Sequence, residues 1–163
     1  MKESKFYKRS GFTMLEMMII VVIIGIMAGL AVPSFMNWIP KMKLKNDARQ
    51  NLNLLRQARS KSVSDNSQYG IYFDIANKQI HFFEDNNNPE LTCYEPGSDS
   101  LVIPPVNLES NVSFGECLFN GDAVVFYPNG SASTSGSITV QDTTSDNFFT
   151  ISVLASTGRV KME

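Results

Sequence analysis

The stretch KRSGFTMLEMMIIVVIIGIMAGLAVPSF, residues 8–35, decides how the rest of the chain is read. It sets one acid, Glu16, at the lip of an apolar run, and from Met17 to Trp38 no residue carries a charge. A run of that length can cross a bilayer. A carboxylate in a membrane span costs at least ~2.5 kcal/mol at mid-bilayer, so it usually has a partner. Lys2, Lys5, Lys8 and Arg9 precede the run against Glu3 alone, which favours a cytoplasmic N-terminus by the positive-inside rule. A cleaved secretory signal needs a shorter apolar segment and a small-residue site after it, and Ala28-Gly29-Leu30-Ala31 is a poor one. A plain single-span anchor fits the length but leaves Glu16 and the Gly11-Phe12 step unexplained. A glutamate snorkelling to the interface would explain Glu16 by topology alone.

Within the run, Gly25 and Gly29 form a small-xxx-small pair that lets helices approach closely, unless they are ordinary glycine usage in a span. Pro33 and Pro40 each remove a helix hydrogen bond, so a kink or short melted stretch is expected there. Beyond Pro40, Ala48, Leu52, Leu55, Ala58 and Ser62 recur at spacings of four, three, three and four, the stripe of an amphipathic helix. Phe12 to about Ser62 then reads as one long, kinked helix of roughly 75 Å at 1.5 Å per residue. Its second half is expected to pack the stripe on a head domain.

From Tyr69 the hydrophobic period changes to two. YGIYFDI and KQIHFFE flank Ala76-Asn77 as a hairpin would, with Ile71, Phe73 and Ile75 on one face. EDNNNPELTCYEPGSDS is a polar loop. Further strands are expected over residues 101–103, 111–114, 123–127, 137–141, 148–154 and 159–162, with turns at Asn129-Gly130 and Thr157-Gly158.

Charge is distributed in zones. Residues 41–61 carry Lys41, Lys43, Lys45, Arg49, Arg56, Arg59 and Lys61 against Asp47 alone, whereas residues 62–158 carry twelve acids and a single Lys78. A basic run is usually a solvated face. Acidic heads of neighbouring subunits, or anionic lipid near Lys41 to Lys45, would complement it, and nucleic acid is the competing partner. Cys93 and Cys117 make an even count, which in an exported chain suggests a disulfide worth on the order of 3 kcal/mol. In a cytosolic chain they would be unrelated thiols. A Cys93–Cys117 bridge would pin the polar loop to the sheet.

The segment SGFTMLEMMIIVVIIGIMAGLAVPSF resembles the processing site and helix start of type IV prepilins and type II secretion pseudopilins. The resemblance implies that a prepilin peptidase cuts after Gly11 and that Phe12 becomes the N-methylated first mature residue. Glu16 is then the fifth mature residue, where the family keeps its glutamate, and can pair with the Phe12 amine of a neighbouring subunit. Pro33 falls where many pilins have a helix-breaking proline. The tail supplies a second resemblance. GDAVVFYPNGSAS, GSITV and FFTISVLASTGRVKM are similar to the C-terminal region of GspH/FimT-type minor pilins and pseudopilins. The implied fold is α+β: a long kinked N-terminal helix, transmembrane in its first half, packed on a head of two antiparallel sheets. The expected division is a leader over 1–11, a membrane or filament-core helix over 12–38, an amphipathic periplasmic helix over 39–64 and a β head over 65–163. Residues 85–119 resemble no family.

Enzymatic motifs do not emerge. His81, the single histidine, reads as a surface strand residue, and no phosphate loop, CxxC or paired metal motif is present. No cofactor is expected. The function implied is that of a minor type IV pilin, a priming subunit near the pilus tip. Its partners would be other minor pilins, the major pilin, the peptidase and methylase, the inner-membrane assembly platform and the bilayer. The resemblance equally implies an H-type pseudopilin of a type II secretion system. Some FimT-like members instead bind DNA through a basic C-terminal motif, which would fall on Arg159 and Lys161 here. The acidic head opposes that role. The implied location is the inner membrane with a periplasmic head, then a pilus tip or a periplasmic pseudopilus.

Overall fold

A computed structural model describes residues 11–86 and 93–163, leaving aside the side chains of residues 32–37. The chain forms two compact units, one ending at Trp38 and the other spanning Ile39–Glu163. Helix α1, Met14–Asp65, contributes residues to both. It is helical throughout, Pro33 and Pro40 included, so the melted stretch allowed for there is not formed. A proline removes one hydrogen bond of a helix, and 52 helical residues can carry two such losses.

The unit from Ile39 onward is built on two antiparallel sheets. Strands β1 (Tyr69–Asp74) and β2 (Gln79–Glu84) form the expected hairpin, and β6 (Ala123–Phe126) pairs with the free edge of β1. The outer edge of β2 is shared by two short strands, β3 (Ser100–Leu101) at Phe83 and Glu84 and β4 (Val106–Asn107) at Gln79 and Ile80. Strands β5 (Val112–Cys117), β7 (Gly136–Asp142), β8 (Phe148–Leu154) and β9 (Arg159–Met162) form the second sheet, in the order β5-β7-β8-β9. A register shift between Phe114 and Cys117 marks an irregularity where β5 meets β7. A short 3₁₀ turn at Asn120–Asp122 leads into β6. The sheets are joined at residues 132–135. The Ala132 amide donates to the Ala155 carbonyl at 2.8 Å, and the Ala155 amide donates to Ser135 Oγ at 2.8 Å.

The expected helix stripe is the buried one. Ala48, Leu52, Leu55, Ala58 and Ser62 are all buried, and Leu44, Asp47, Asn51 and Leu54 widen the stripe. Its leucines and Ala58 join one core with Tyr69, Ile71 and Phe73 of the first sheet and Val112, Ile138, Val140, Ile151 and Val153 of the second. The Phe73 ring stands edge-on to Phe114 at 5.6 Å and stacks with Phe119 at 5.8 Å, which ties the sheets together. Ile75 departs from the expected face. It is exposed because the turn begins there, and Asp74 holds that turn by accepting the Asn77 amide at 2.9 Å.

The other face of the first sheet is covered as well. Phe83, Ala123 and Val125 are fully buried yet lie outside the central core. Phe83 lies across Gly70, its cross-strand partner, where any Cβ would collide with the ring, so this strand position requires glycine. Tyr94 packs on Phe83 at 5.1 Å and stacks with Tyr72 at 5.3 Å, so the chain after Cys93 shields this face.

Candidate assembly sites at the N-terminus and on the head

Gly11, Phe12 and Thr13 precede α1 and are not helical. Thr13 caps the helix: its Oγ1 accepts the Glu16 amide at 3.2 Å, and its carbonyl accepts the Met17 amide at 3.2 Å. Thr13-x-x-Glu16 has the residue pattern of a capping box, with the acid in the first turn, where the macrodipole favours a negative charge. This local role for Glu16 is written in the sequence, in the spacing of Thr13 and Glu16. The helix it opens is bare. The window Met14–Ala31 has a mean hydropathy of 2.5, and none of it is buried within the chain. Water is a poor solvent for such a surface, since each large side chain gains roughly 1.5–3 kcal/mol on burial. Nothing lies within 4 Å of a Cβ placed on Gly25 or Gly29, so a second backbone can approach there. Pro33 falls among the side chains outside those described.

On the head, Arg159 and Lys161 both lie in β9 and face outward, bordering a shallow depression with Ser152 and Leu154. Lys161 lies 3.9 Å from the Glu163 carboxylate. Arg159 also borders a groove with Arg56 and Arg59, two residues that the sequence alone places on a solvated helix face. The helix is fastened beside that groove, where Arg59 Nε donates to the Gly130 carbonyl at 3.0 Å and Ser62 Oγ to the Tyr127 carbonyl at 3.2 Å.

A second fastening lies nearer the start of this unit. The buried Asp47 carboxylate accepts the Glu109 amide at 2.9 Å, and Lys43 Nζ reaches Glu109 at 3.0 Å. Burial raises the Asp47 pKa and outweighs the lowering by the amide hydrogen bond and by Lys43. The Glu109 partner of Asp47 is not evident from sequence, because it is 62 residues away.

The expected Cys93–Cys117 bridge is not formed: both residues are free thiols. Cys117 is engaged instead with the turn that follows it, by hydrogen bonds to the Asp122 side chain and the Phe119 backbone. Burial, the largest effect, pushes its pKa up to about 11, so it is protonated at neutral pH. His81 also departs from expectation. Its ring packs between Tyr72 at 5.6 Å and Tyr94 at 5.3 Å, and both ring nitrogens are buried without a hydrogen-bond partner. Among the described residues no group of His, Cys, Asp and Glu could hold a metal.

A capped, bare apolar helix joined to a head of two antiparallel sheets defines the pilin-like class. Residues 7–32 match the prokaryotic N-terminal methylation motif, and residues 47–157 match the family described as type II transport protein GspH, a span that takes in residues 85–119, for which no family was expected. The chain belongs to this family of type IV pilin-like, GspH-type subunits. A type IV major pilin, PilA of Myxococcus xanthus (strain DK1622), is 31% identical over 91% of this chain and 75% of its own length. In fold, the chain is similar to the minor pseudopilin EpsH of the Vibrio cholerae type 2 secretion system, with a TM-score of 0.60 at 9% identity over 74% of this chain and 96% of that one. It is also similar to the type IV minor pilin FimU of Pseudomonas aeruginosa PAO1, with a TM-score of 0.56 at 16% identity over 76% and 90%.

Proposed function

We propose that this chain is a minor subunit of a type IV pilus, cut after Gly11, N-methylated on Phe12 and placed near the pilus tip. The carrying observation is one continuous arrangement: a methylation motif, an uncovered apolar helix and a GspH-type head, in a chain 31% identical to a type IV pilin over 91% of its length. Processing leaves residues 12–38 as membrane anchor first and filament core later, with residues 39–64 and the head on the periplasmic side. The anchor helix exchanges lipid for neighbouring helices without re-entering water. Glu16 pairs with the Phe12 amine of a neighbouring subunit, and Gly25 and Gly29 let the two helices close up. The peptidase and methylase act on the chain, which is itself a structural subunit and takes no cofactor. Its further partners are the assembly platform, the major pilin and other minor pilins.

Mass spectrometry of the mature N-terminus tests the reading. A methylated Phe12 is expected, and an intact Met1 start would sink it. Glu16→Ala is expected to leave cleavage intact and to lower incorporation into sheared filaments at least about tenfold, and normal incorporation would reduce Glu16 to a topology marker. A second reading, the H-type pseudopilin of a type II secretion system, is favoured by the EpsH-like head. Deleting the gene separates the two: loss of surface pili supports the first, and loss of protein release with pili intact supports the second.

A further inference from the structure

Three arginines that the pilin architecture does not account for meet on the head. Arg56 and Arg59 lie three residues apart on α1 and so share a face, and Arg159 opens β9. With Ser60, Val63 and Val160 they line a groove of about 610 Å³. Arg59 is held in place. Its Nε donates to the Gly130 carbonyl at 3.0 Å, and its stem lies against Gly158, where a Cβ would stand 3.0 Å from Nε and 3.2 Å from Cδ. Both glycines have positive φ, 80° at Gly130 and 58° at Gly158, so the two turns close around the guanidinium without side chains in the way.

None of the three arginines has an ion-pair partner among the described residues, although Lys43, Lys61 and Lys161 each have one. The acid nearest in sequence to Arg59, Asp65, is already engaged by Lys61, Ser64 and Tyr69, and Glu163, four residues from Arg159, lies beside Lys161. The Lys61 hydrogen bond, with those from Ser64 and Tyr69, holds the Asp65 carboxyl down at about 2. Guanidinium forks match carboxylates in bidentate pairs, and fixing one of them in advance lowers the ordering cost of a partner.

We propose that this groove docks an acidic peptide segment of a neighbouring filament subunit, seating at least two carboxylates on Arg56, Arg59 and Arg159. The proposal rests on reading the chain as a filament subunit. Charge complementarity selects the occupant. Residues 62–158 carry twelve acids against Lys78, so a neighbour of like composition offers carboxylates. That same acidity repels a long polyphosphate. Val63 and Val160 add apolar wall that the stems of Glu side chains can cover.

The test uses the full chain in uncharged detergent, with a fluorescent peptide of alternating Glu and Ala, its Gln counterpart, and an oligothymidylate of equal charge. The Glu peptide is expected to bind at least about tenfold tighter than the Gln peptide and to weaken as salt is raised. Arg56→Gln with Arg159→Gln should cost about tenfold or more while the Arg59–Gly130 contact and the near-UV circular dichroism stay unchanged. Equal binding of both peptides, or undiminished binding by the double variant, overturns the proposal. Tighter oligothymidylate binding lost in the same variant also overturns it and gives the groove to nucleic acid. In cells, Arg56→Glu with Arg159→Glu should leave cleavage after Gly11 intact and reduce recovery in sheared filaments about fivefold or more. Undiminished recovery overturns the docking site and leaves the filament reading standing. An uncleaved wild-type chain would instead sink the filament reading.

Discussion

Helix α1 places two kinds of hydrophobic surface on one element. From Met17 to Ala31 its side chains are uncharged around the whole circumference and uncovered. From Leu44 onward only one stripe is apolar, and that stripe is buried among the strands while the opposite face is charged. The second half therefore contributes to folding, because its apolar surface is satisfied within the chain. The first half contributes nothing to the core of the head. Its apolar surface is satisfied only by lipid or other helices, and its sequence is selected for what surrounds it.

The sharpest way to break that comparison is a matched pair of truncations. Leu55 is fully buried and Ile23 is exposed. Leu55→Ala should lower head stability by about 2–5 kcal/mol in denaturant titrations of the detergent-solubilised chain, and Ile23→Ala should leave it unchanged. Equal losses would mean that the anchor half is part of the fold. Gly158→Ala comes next. A Cβ there collides with the Gly130 carbonyl at a φ of 58°, so a loss of about 2 kcal/mol is expected, together with disturbed packing around Arg59.

The smallest effects lie at the Asp47 fastening. Asp47→Ala leaves the Glu109 amide without its acceptor and should cost about 1–3 kcal/mol. Asp47→Asn keeps an acceptor and should change stability by less than about 1 kcal/mol at neutral pH. The pH response carries the sign. Because burial raises the folded-state pKa of Asp47, the folded chain binds this proton more tightly than the unfolded one. The Asp47 contribution to stability therefore falls as pH rises from the ordinary carboxylate range through the raised value. Asp47→Asn should remove that slope, and an unchanged slope would show that another group carries it.

Much of this architecture is legible in local sequence. The stripe from Ala48 to Ser62 is visible because helix periodicity is local, and β8 and β9 lie where period-two alternation and the Thr157-Gly158 turn place them. Strand β4 has no such signature, because two residues carry no period and its pairing with β2 is set by register across the sheet. The enclosure of the His81 ring nitrogens involves Tyr94 arriving from a loop, which no alternation pattern announces. At the N-terminus the methylation motif matched over residues 7–32 is legible because it is contiguous. The arginine groove is not, since Arg159 stands 100 positions from Arg59 and only the fold brings them together. The cysteine count suggests a bond that the structure does not contain, since an even number alone does not fix a pairing.

The position of the Thr13 cap has one further consequence. The residues that start the helix, Thr13 and Glu16, both lie downstream of the Gly11-Phe12 bond, and that bond itself is not helical. Under the proposed processing, a cut at that bond would therefore sever none of the hydrogen bonds that open the helix. It would replace the charged run from Lys2 to Arg9 with a single ammonium group two residues before the helix begins at Met14.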